Sequence, residues 1–259
     1  QEHGWGPEQA EKLCQKSIEH DPQIVAQALA LKDAIAEITN GQSYFNERDL
    51  IRKTAEHAQG RGLGATEVLA AAHEYLKDKA IAISTRDGLQ LFTTPEMLAL
   101  ERDMLRTADK IHARDDHYIK PSHFEDCLQR FQHLRDEQKE AIRHITQDEG
   151  DVTVVAGMAG TGKTTMLKAA REVWEQAGYV VRGAALAGKA ADGLTNEAGI
   201  DSRTIAKTLH DIETGWLTLT QKTVMIVDEA GMIGTRQMKR LLDEVEKARA
   251  KLVLVGDAK

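Results

Sequence analysis

The segment Gly157-Met158-Ala159-Gly160-Thr161-Gly162-Lys163-Thr164 constrains this chain more than any other. It follows the apolar run VTVVAG and opens a stretch of helical spacing that extends to about Ala177. Gly157, Gly160 and Gly162 let the backbone wrap, so that several N–H groups point at one spot near a helix N-terminus, where phosphate is favoured. The pattern is G-x-x-x-x-G-K-[ST] in the strand–turn–helix context that gives it meaning. Lys163 would reach β- and γ-phosphate oxygens, and the Thr164 hydroxyl is placed to ligate Mg²⁺. Met158, Ala159, Thr161 and Thr165 complete the loop and the first turn of its helix.

The rest of the C-terminal half alternates in the same way. YVVRGAAL precedes a helical stretch from Lys189, TVMIVDEA precedes another from about Ile233, and KLVLVGD follows. Short apolar runs alternating with helices predict a parallel sheet covered on both faces. One of these strands ends in Asp228-Glu229. It would deliver one carboxylate to the Mg²⁺ shell and a second to a water beside the γ-phosphate, an electrostatic and a general-base role. A hydrolytic carboxylate at Glu229 separates this chain from small-molecule kinases and switch GTPases. The last strand ends at Gly256-Asp257, and the carboxyl ends of strands are where an open α/β sheet meets its ligand. Asp257 must lie beside both other strands to sense a γ-phosphate, so the strand over 251–256 is expected between those ending at 156 and 228.

The N-terminal half reads differently. Ile24, Ala28, Leu31, Ile35 and Ile38 share a helical face, with Gly41 as its stop. Asn46 is a good N-cap for a second helix to about Ala58. A third, from about Thr66 to Lys77, would bury Val68, Leu69, Ala72 and Leu76. Two alternating runs then meet across Asp87-Gly88, a hairpin turn pair. Thr94-Pro95 starts a helix burying Met97, Met104, Ala108 and Ile111. This is the order of a winged helix, but the third helix lacks the Arg expected of a base-reading element, which leaves a packing or spacer role open. The segment 112–122 is charged and contains Pro121, a boundary signal. The expected division is an N-terminal helical segment (1–40), a winged-helix-like domain (41–113), a linker (114–134) and a nucleotide-binding domain (135–259).

Charge sharpens that division. Residues 151–259 hold 15 Lys+Arg against 14 Asp+Glu, which leaves 19 against 27 in residues 1–150. The acidic half is poorly suited to nonspecific DNA binding, which depends on cations neutralising phosphates. Cys14 and Cys127 form no CxxC, and the 10 His include no H-x-H pair, so neither a disulfide framework nor a metal cluster is signalled. No run approaches the roughly 20 apolar residues of a membrane span. A cytoplasmic protein is the expectation. The chain begins at Gln1, which reads as a segment of a longer polypeptide.

Six segments in order, LRDEQKEAI, GMAGTGKTT, LAGKAADGL, SRTIAKTLH, VMIVDEAGM and LVLVGDAK, resemble the RecD-like superfamily 1 DNA helicases, nearest to TraA-type conjugative relaxase–helicases. The resemblance covers about residues 134–259. It implies a P-loop, RecA-like α/β domain, the first of two, preceded by a mainly helical winged-helix-like domain with a β-hairpin. It implies ATP and Mg²⁺ as cofactors, with movement 5′ to 3′ along single-stranded DNA. By the same likeness Gln138 would read the adenine edge, although a solvated helix glutamine is the plainer reading of that residue alone. Gly188 and Lys189 would touch DNA phosphates. Ser202, Arg203 and Thr204 would form a second DNA-facing stretch, with an N-cap explaining Thr204 equally well. Asp257 would sense the γ-phosphate. The resemblance also implies the rest of a relaxase–helicase polypeptide and the conjugation machinery as partners. The second RecA-like domain and its arginine do not appear in this chain, so a nucleotide- or protein-binding module without useful turnover is the alternative.

Overall fold

A computed structural model describes residues 21–157 and 162–256. The chain divides into two compact units, Gln1–Met97 and Leu98–Lys259.

In the first unit, helix α1 (Pro22–Gly41) starts where Asp21 accepts a hydrogen bond from Gln23 N at 2.9 Å. A two-residue strand β1 (Phe45–Asn46) leads into α2 (Glu47–Ala58), capped as expected by Asn46, which accepts from Asp49 N at 3.0 Å. Helix α3 (Ala65–Asp78) begins at Gly64, whose N–H donates to Glu67 at 3.0 Å. Strands β2 (Ile81–Arg86) and β3 (Leu89–Thr93) then form the expected hairpin, turning at Asp87 (φ 51°) and Gly88 (φ 75°). Strand β1 pairs antiparallel with β3, so the sheet has three strands. Ile38, Phe45, Leu50 and Ala72 form the core. The expected face holds over its C-terminal part, where Ile38 is buried and Leu31 and Ile35 pack against the core; Ala30 and Ala34 are also buried, whereas Ile24 is 60% exposed. The alanines allow close helix approach, so small residues and not the larger Ile24 sit inward.

Helix α4 (Pro95–His112) begins with the expected Thr94 cap, which accepts from Met97 N at 3.0 Å, and crosses the boundary between the units. In the second unit, α5 (Pro121–Leu128) occupies the stretch read as a linker. Its Phe124 and Cys127, with Ile119, Phe131 and Leu134 beside it, are buried core. After α6 (Asp136–Gln147), strands β4 (Val152–Ala156), β5 (Val180–Ala185), β6 (Asp201–Thr204), β7 (Thr223–Asp228) and β8 (Lys251–Gly256) form one sheet of order β4-β8-β7-β5-β6. All its pairings are parallel. Strand β8 lies between β4 and β7, as the γ-phosphate argument required. The connecting helices are α7 (Lys163–Gln176), α8 (Gly188–Gly193), α9 (Ile205–Glu213) and α10 (Thr235–Ala248).

The inner strands β7 and β8 are buried on both faces, as their apolar runs predict, whereas the border strands β4 and β6 are partly exposed. Val181, Val224, Ile226, Val253 and Val255 pack towards α5, α6 and α7, where Trp174 is fully buried. Met225, Val227 and Leu252 pack towards α4, α9 and α10. The stripe Met238, Leu241, Leu242 and Val245 closes α10 onto that face at helical spacing.

A polar cluster closes the amino end of the strands. His117 has one ring nitrogen 2.8 Å from Asp151 Oδ1 and the other 2.8 Å from Gln221 O, with both side chains fully buried. Lys251, at the start of β8, donates to Gly150 O at 2.8 Å. The Tyr179 ring lies 5.1 Å from that of His117.

Candidate active site

The register brings the chemistry-bearing segments to the opposite, carboxyl end of the sheet. Ala156 pairs with Gly256, Val227 with Leu254, and Ala185 with both Asp228 and Thr204. The phosphate-loop glycine Gly157, the pair Asp228-Glu229, Gly188-Lys189 and Ser202–Thr204 therefore follow one another along a single row of strand ends. Gly157 N donates to Gly256 O at 3.0 Å, which ties the start of the loop to β8. Met158, Ala159, Gly160, Thr161 and Asp257 lie outside the described residues.

Gly162 caps α7 in the left-handed region at φ 79°, a conformation glycine adopts without a β-carbon penalty. A β-carbon there would stand 2.5 Å from Gln138 Nε2, so the Gln138 side chain would have to shift to admit one. Lys163 Nζ donates to Gly157 O at 2.9 Å, which spans the loop from end to end. Thr164 and Thr165, both half-buried, occupy the first turn of α7.

Gln138 stands three residues into α6. Its Oε1 accepts from Arg135 N at 3.0 Å, and its Nε2 donates to Gly162 O at 3.0 Å. The side chain thus links the start of α6 to the end of the loop. Gln138, Ala141, Val155, Ala156, Gly157, Lys163 and Met166 line an open cavity of about 270 Å³, together with Arg135.

At the end of β7, Asp228 Oδ1 accepts from Glu229 N at 2.9 Å, which fixes its carboxylate. Glu229 is left-handed at φ 54° and ψ 32°, which turns the chain into the short 3₁₀ turn Ala230–Met232. A non-glycine residue in this region stores backbone strain, a pattern concentrated at functional sites. Oxygen donors from Thr164 and Asp228 suit a hard divalent cation such as Mg²⁺.

Along β5 and β6 the candidates divide. Gly188 and Lys189 are exposed at the start of α8. The Ser202 hydroxyl donates to Ile200 O at 2.6 Å and lies over Gly183, inside the sheet border. Thr204 caps α9, accepting from Lys207 N at 3.2 Å. Arg203 pairs with Asp211, a carboxylate 1% exposed that also accepts from Lys207 at 2.7 Å. The hydrogen bond from Lys207, opposed by burial and aided by Arg203, holds Asp211 below the usual carboxylate range. Among these three residues Arg203 alone carries charge to the surface. The sequence reading omitted Lys207 and Asp211, although their i, i+4 spacing on α9 signals the pair.

Residues 133–259 match the AAA domain family. The conjugal transfer protein TraA of Rhizobium radiobacter is 42% identical over 225 residues, covering 85% of this chain and 20% of that protein. The conjugal transfer protein TraA of Agrobacterium fabrum is 45% identical over 166 residues, 64% of this chain and 15% of that protein. The multifunctional conjugation protein TraI of Escherichia coli is 29% identical over 127 residues, 46% of this chain and 7% of that protein. The chain thus spans about a fifth or less of the length of these relatives. It is a homologue of the conjugal transfer TraA proteins and carries an AAA domain in residues 133–259.

Proposed function

We propose that this chain supplies the ATP-binding and ATP-hydrolysing part of a DNA helicase that moves along single-stranded DNA, 5′ to 3′, in conjugative transfer. One observation carries the reading. The ends of the phosphate loop at Gly157 and Lys163, an acidic strand end and the cations Lys189 and Arg203 share the carboxyl end of one parallel sheet, so nucleotide state and DNA grip can be coupled through adjacent strands.

The residues divide the work. Loop N–H groups and Lys163 neutralise the β- and γ-phosphates. Thr164 and Asp228 would hold Mg²⁺, which supplies charge neutralisation on the transferring phosphoryl group. Glu229 orients and deprotonates the attacking water. Gln138 recognises adenine, and Asp257 reports the γ-phosphate to β8, which lies between the loop strand and the acidic strand. Gly188, Lys189 and Arg203 meet DNA phosphates, while Ser202 and Thr204 shape the border that presents Arg203.

The test is ATP binding by calorimetry with Mg²⁺, followed by steady-state hydrolysis with and without single-stranded DNA. It is applied to this chain and to the same chain extended by a second RecA-like domain. Nucleotide binding in both, with DNA-stimulated turnover in the extended protein, is expected. Absence of nucleotide binding would overturn the reading. Binding with DNA-independent turnover in both would reduce it to a nucleotide-binding module.

A further inference from the structure

Helix α9 turns Ile205, Thr208, Leu209 and Asp211 inward, so a carboxylate stands where the helix otherwise buries apolar groups and a threonine. Burying a carboxylate is costly unless charges and hydrogen bonds compensate it. Two cations do so. Arg203 reaches Asp211 from the end of the border strand β6, and Lys207 reaches it from one turn earlier on the same helix, at 2.7 Å.

The arrangement exceeds what Asp211 itself needs. One cation neutralises one carboxylate, and a second on the same carboxylate adds like-charge repulsion. Lys207 also stands in the first turn of α9, where the helix dipole disfavours a cation. Two cations against one carboxylate leave a net charge of +1. The Asp211 side chain is 1% exposed, whereas those of Arg203 and Lys207 are 44% and 57% exposed, so the surplus charge faces solvent. Strand pairing sets Arg203 opposite Ala184 of β5, the strand that leads to Gly188 and Lys189. Cations gathered at an unfavourable helix start, pinned by a buried carboxylate and open to solvent, suit an external polyanion.

We propose that Asp211 is a positioning residue for DNA, its carboxylate holding the Arg203 guanidinium and the Lys207 ammonium side by side, with Lys207 a phosphate contact in its own right. This rests on the DNA-binding reading above. Arg and Lys side chains are rich in rotamers, and ordering them on contact costs affinity. A carboxylate that orders them beforehand removes part of that cost. As an anion it also repels phosphate, so positioning and repulsion act on affinity with opposite signs.

The probe is a fluorescently labelled single-stranded oligothymidylate, and its Kd for the whole chain is read by anisotropy over a series of salt concentrations. Affinity for single strands falls with salt at a log–log slope of about −0.7 per phosphate neutralised. Lys207→Gln should therefore make the slope shallower by about 0.7, and Lys207→Arg should keep it. Asp211→Asn makes the chain one charge more positive, so repulsion alone requires tighter binding. Positioning requires the reverse: Kd raised about three- to tenfold, the range for two exposed charge contacts, and a slope shallower by up to about 1.4. Asp211→Asn leaves no unpaired buried charge, and thermal melting of each variant checks its fold. Lys207 is exposed, so its two variants report whatever the stability of Asp211→Asn. Tighter binding by Asp211→Asn, or an unchanged slope in Lys207→Gln, would overturn the proposal and leave the DNA-binding reading in place. A wild-type chain with no affinity for the oligonucleotide at low salt would overturn that reading and the proposal with it.

Discussion

Lys163 and Glu229 illustrate two ways in which one residue would serve the proposed site. Lys163 is held by a hydrogen bond to a partly exposed loop carbonyl, so little of the fold depends on it. Lys163→Ala should shift the melting of the nucleotide-free protein by no more than about 0.5 kcal/mol. It should weaken ATP binding by about 1.5–3 kcal/mol, roughly 10- to 150-fold, the value of hydrogen bonds from a charged donor. Calorimetry showing unchanged affinity would remove Lys163 from the phosphate site. Glu229 is different because its backbone is strained at φ 54°. Glu229→Gln keeps the strain and the shape, so binding should persist while hydrolysis falls by about 10²–10⁴, the worth of a general base. Glu229→Gly should lose turnover similarly but gain up to about 1 kcal/mol of stability, because glycine bears no left-handed penalty. Chemical denaturation of the two variants separates these effects, and lower stability in Glu229→Gly would show that the side chain is structural. Both residues were legible in the sequence because the phosphate loop and the acidic strand end are local patterns. The strain at Glu229 was not, since no residue-type signal announces a left-handed glutamate.

At the scale of elements, legibility followed apolar runs. Strands β4, β5, β7 and β8 are apolar runs and each was readable as a strand; β7 and β8 are buried on both faces, whereas β4 lies at the sheet border with Val154 61% exposed. Strand β6 was missed because DSRT contains no apolar residue; it is a strand only because β5 offers it a border to pair with. The two-residue β1 exists through its pairing with β3, again a long-range fact. That pairing of β5 with β6 also gives Gly183 its role. A β-carbon there would stand 2.0 Å from Ser202 Oγ, 2.9 Å from Ser202 Cβ and 3.1 Å from Ile200 Cγ2. Gly183→Ala should therefore destabilise the second unit by about 1–3 kcal/mol, the cost of overpacking. It should also displace Arg203, one residue beyond Ser202, and weaken DNA affinity. Adding Ser202→Gly removes two of the three clashing atoms and should recover part of both losses. Purely additive effects in that double-mutant cycle would mean that the two residues do not compete for space.

Across the whole second unit, the sheet separates two polar regions by the length of its strands, six residues in β8 or roughly 20 Å. The proposed ligand site lies at the carboxyl end, and buried charges anchor the amino end. Lys251 belongs to the anchor, and burial, opposed by the charge of Asp151, pushes its pKa down to about 8. Unfolding returns this lysine to its ordinary value of 10.5. Between pH 8 and 10.5 the unfolded chain therefore binds more protons at this position than the folded one, and stability rises with pH there. For Lys251 alone the rise from pH 8 to 10 amounts to about 2 kcal/mol. Cys127 opposes it above about pH 9, because burial raises the thiol pKa in the folded state and the unfolded chain releases that proton first. The informative quantity is thus the difference between the wild type and Lys251→Met, in which the Cys127 contribution cancels. Lys251→Met also leaves Gly150 O without its donor, so its absolute stability is a poor guide and the slope with pH is the measurement. Urea denaturation followed by the fluorescence of buried Trp174 should show the wild type gaining about 2 kcal/mol over Lys251→Met from pH 8 to 10. ATP affinity at pH 8 should be the same in both, because the substitution lies at the far end of the strand from the phosphate loop. Parallel stability curves would show that Lys251 stays charged when folded, and a change in ATP affinity would show that the two ends of the sheet are coupled.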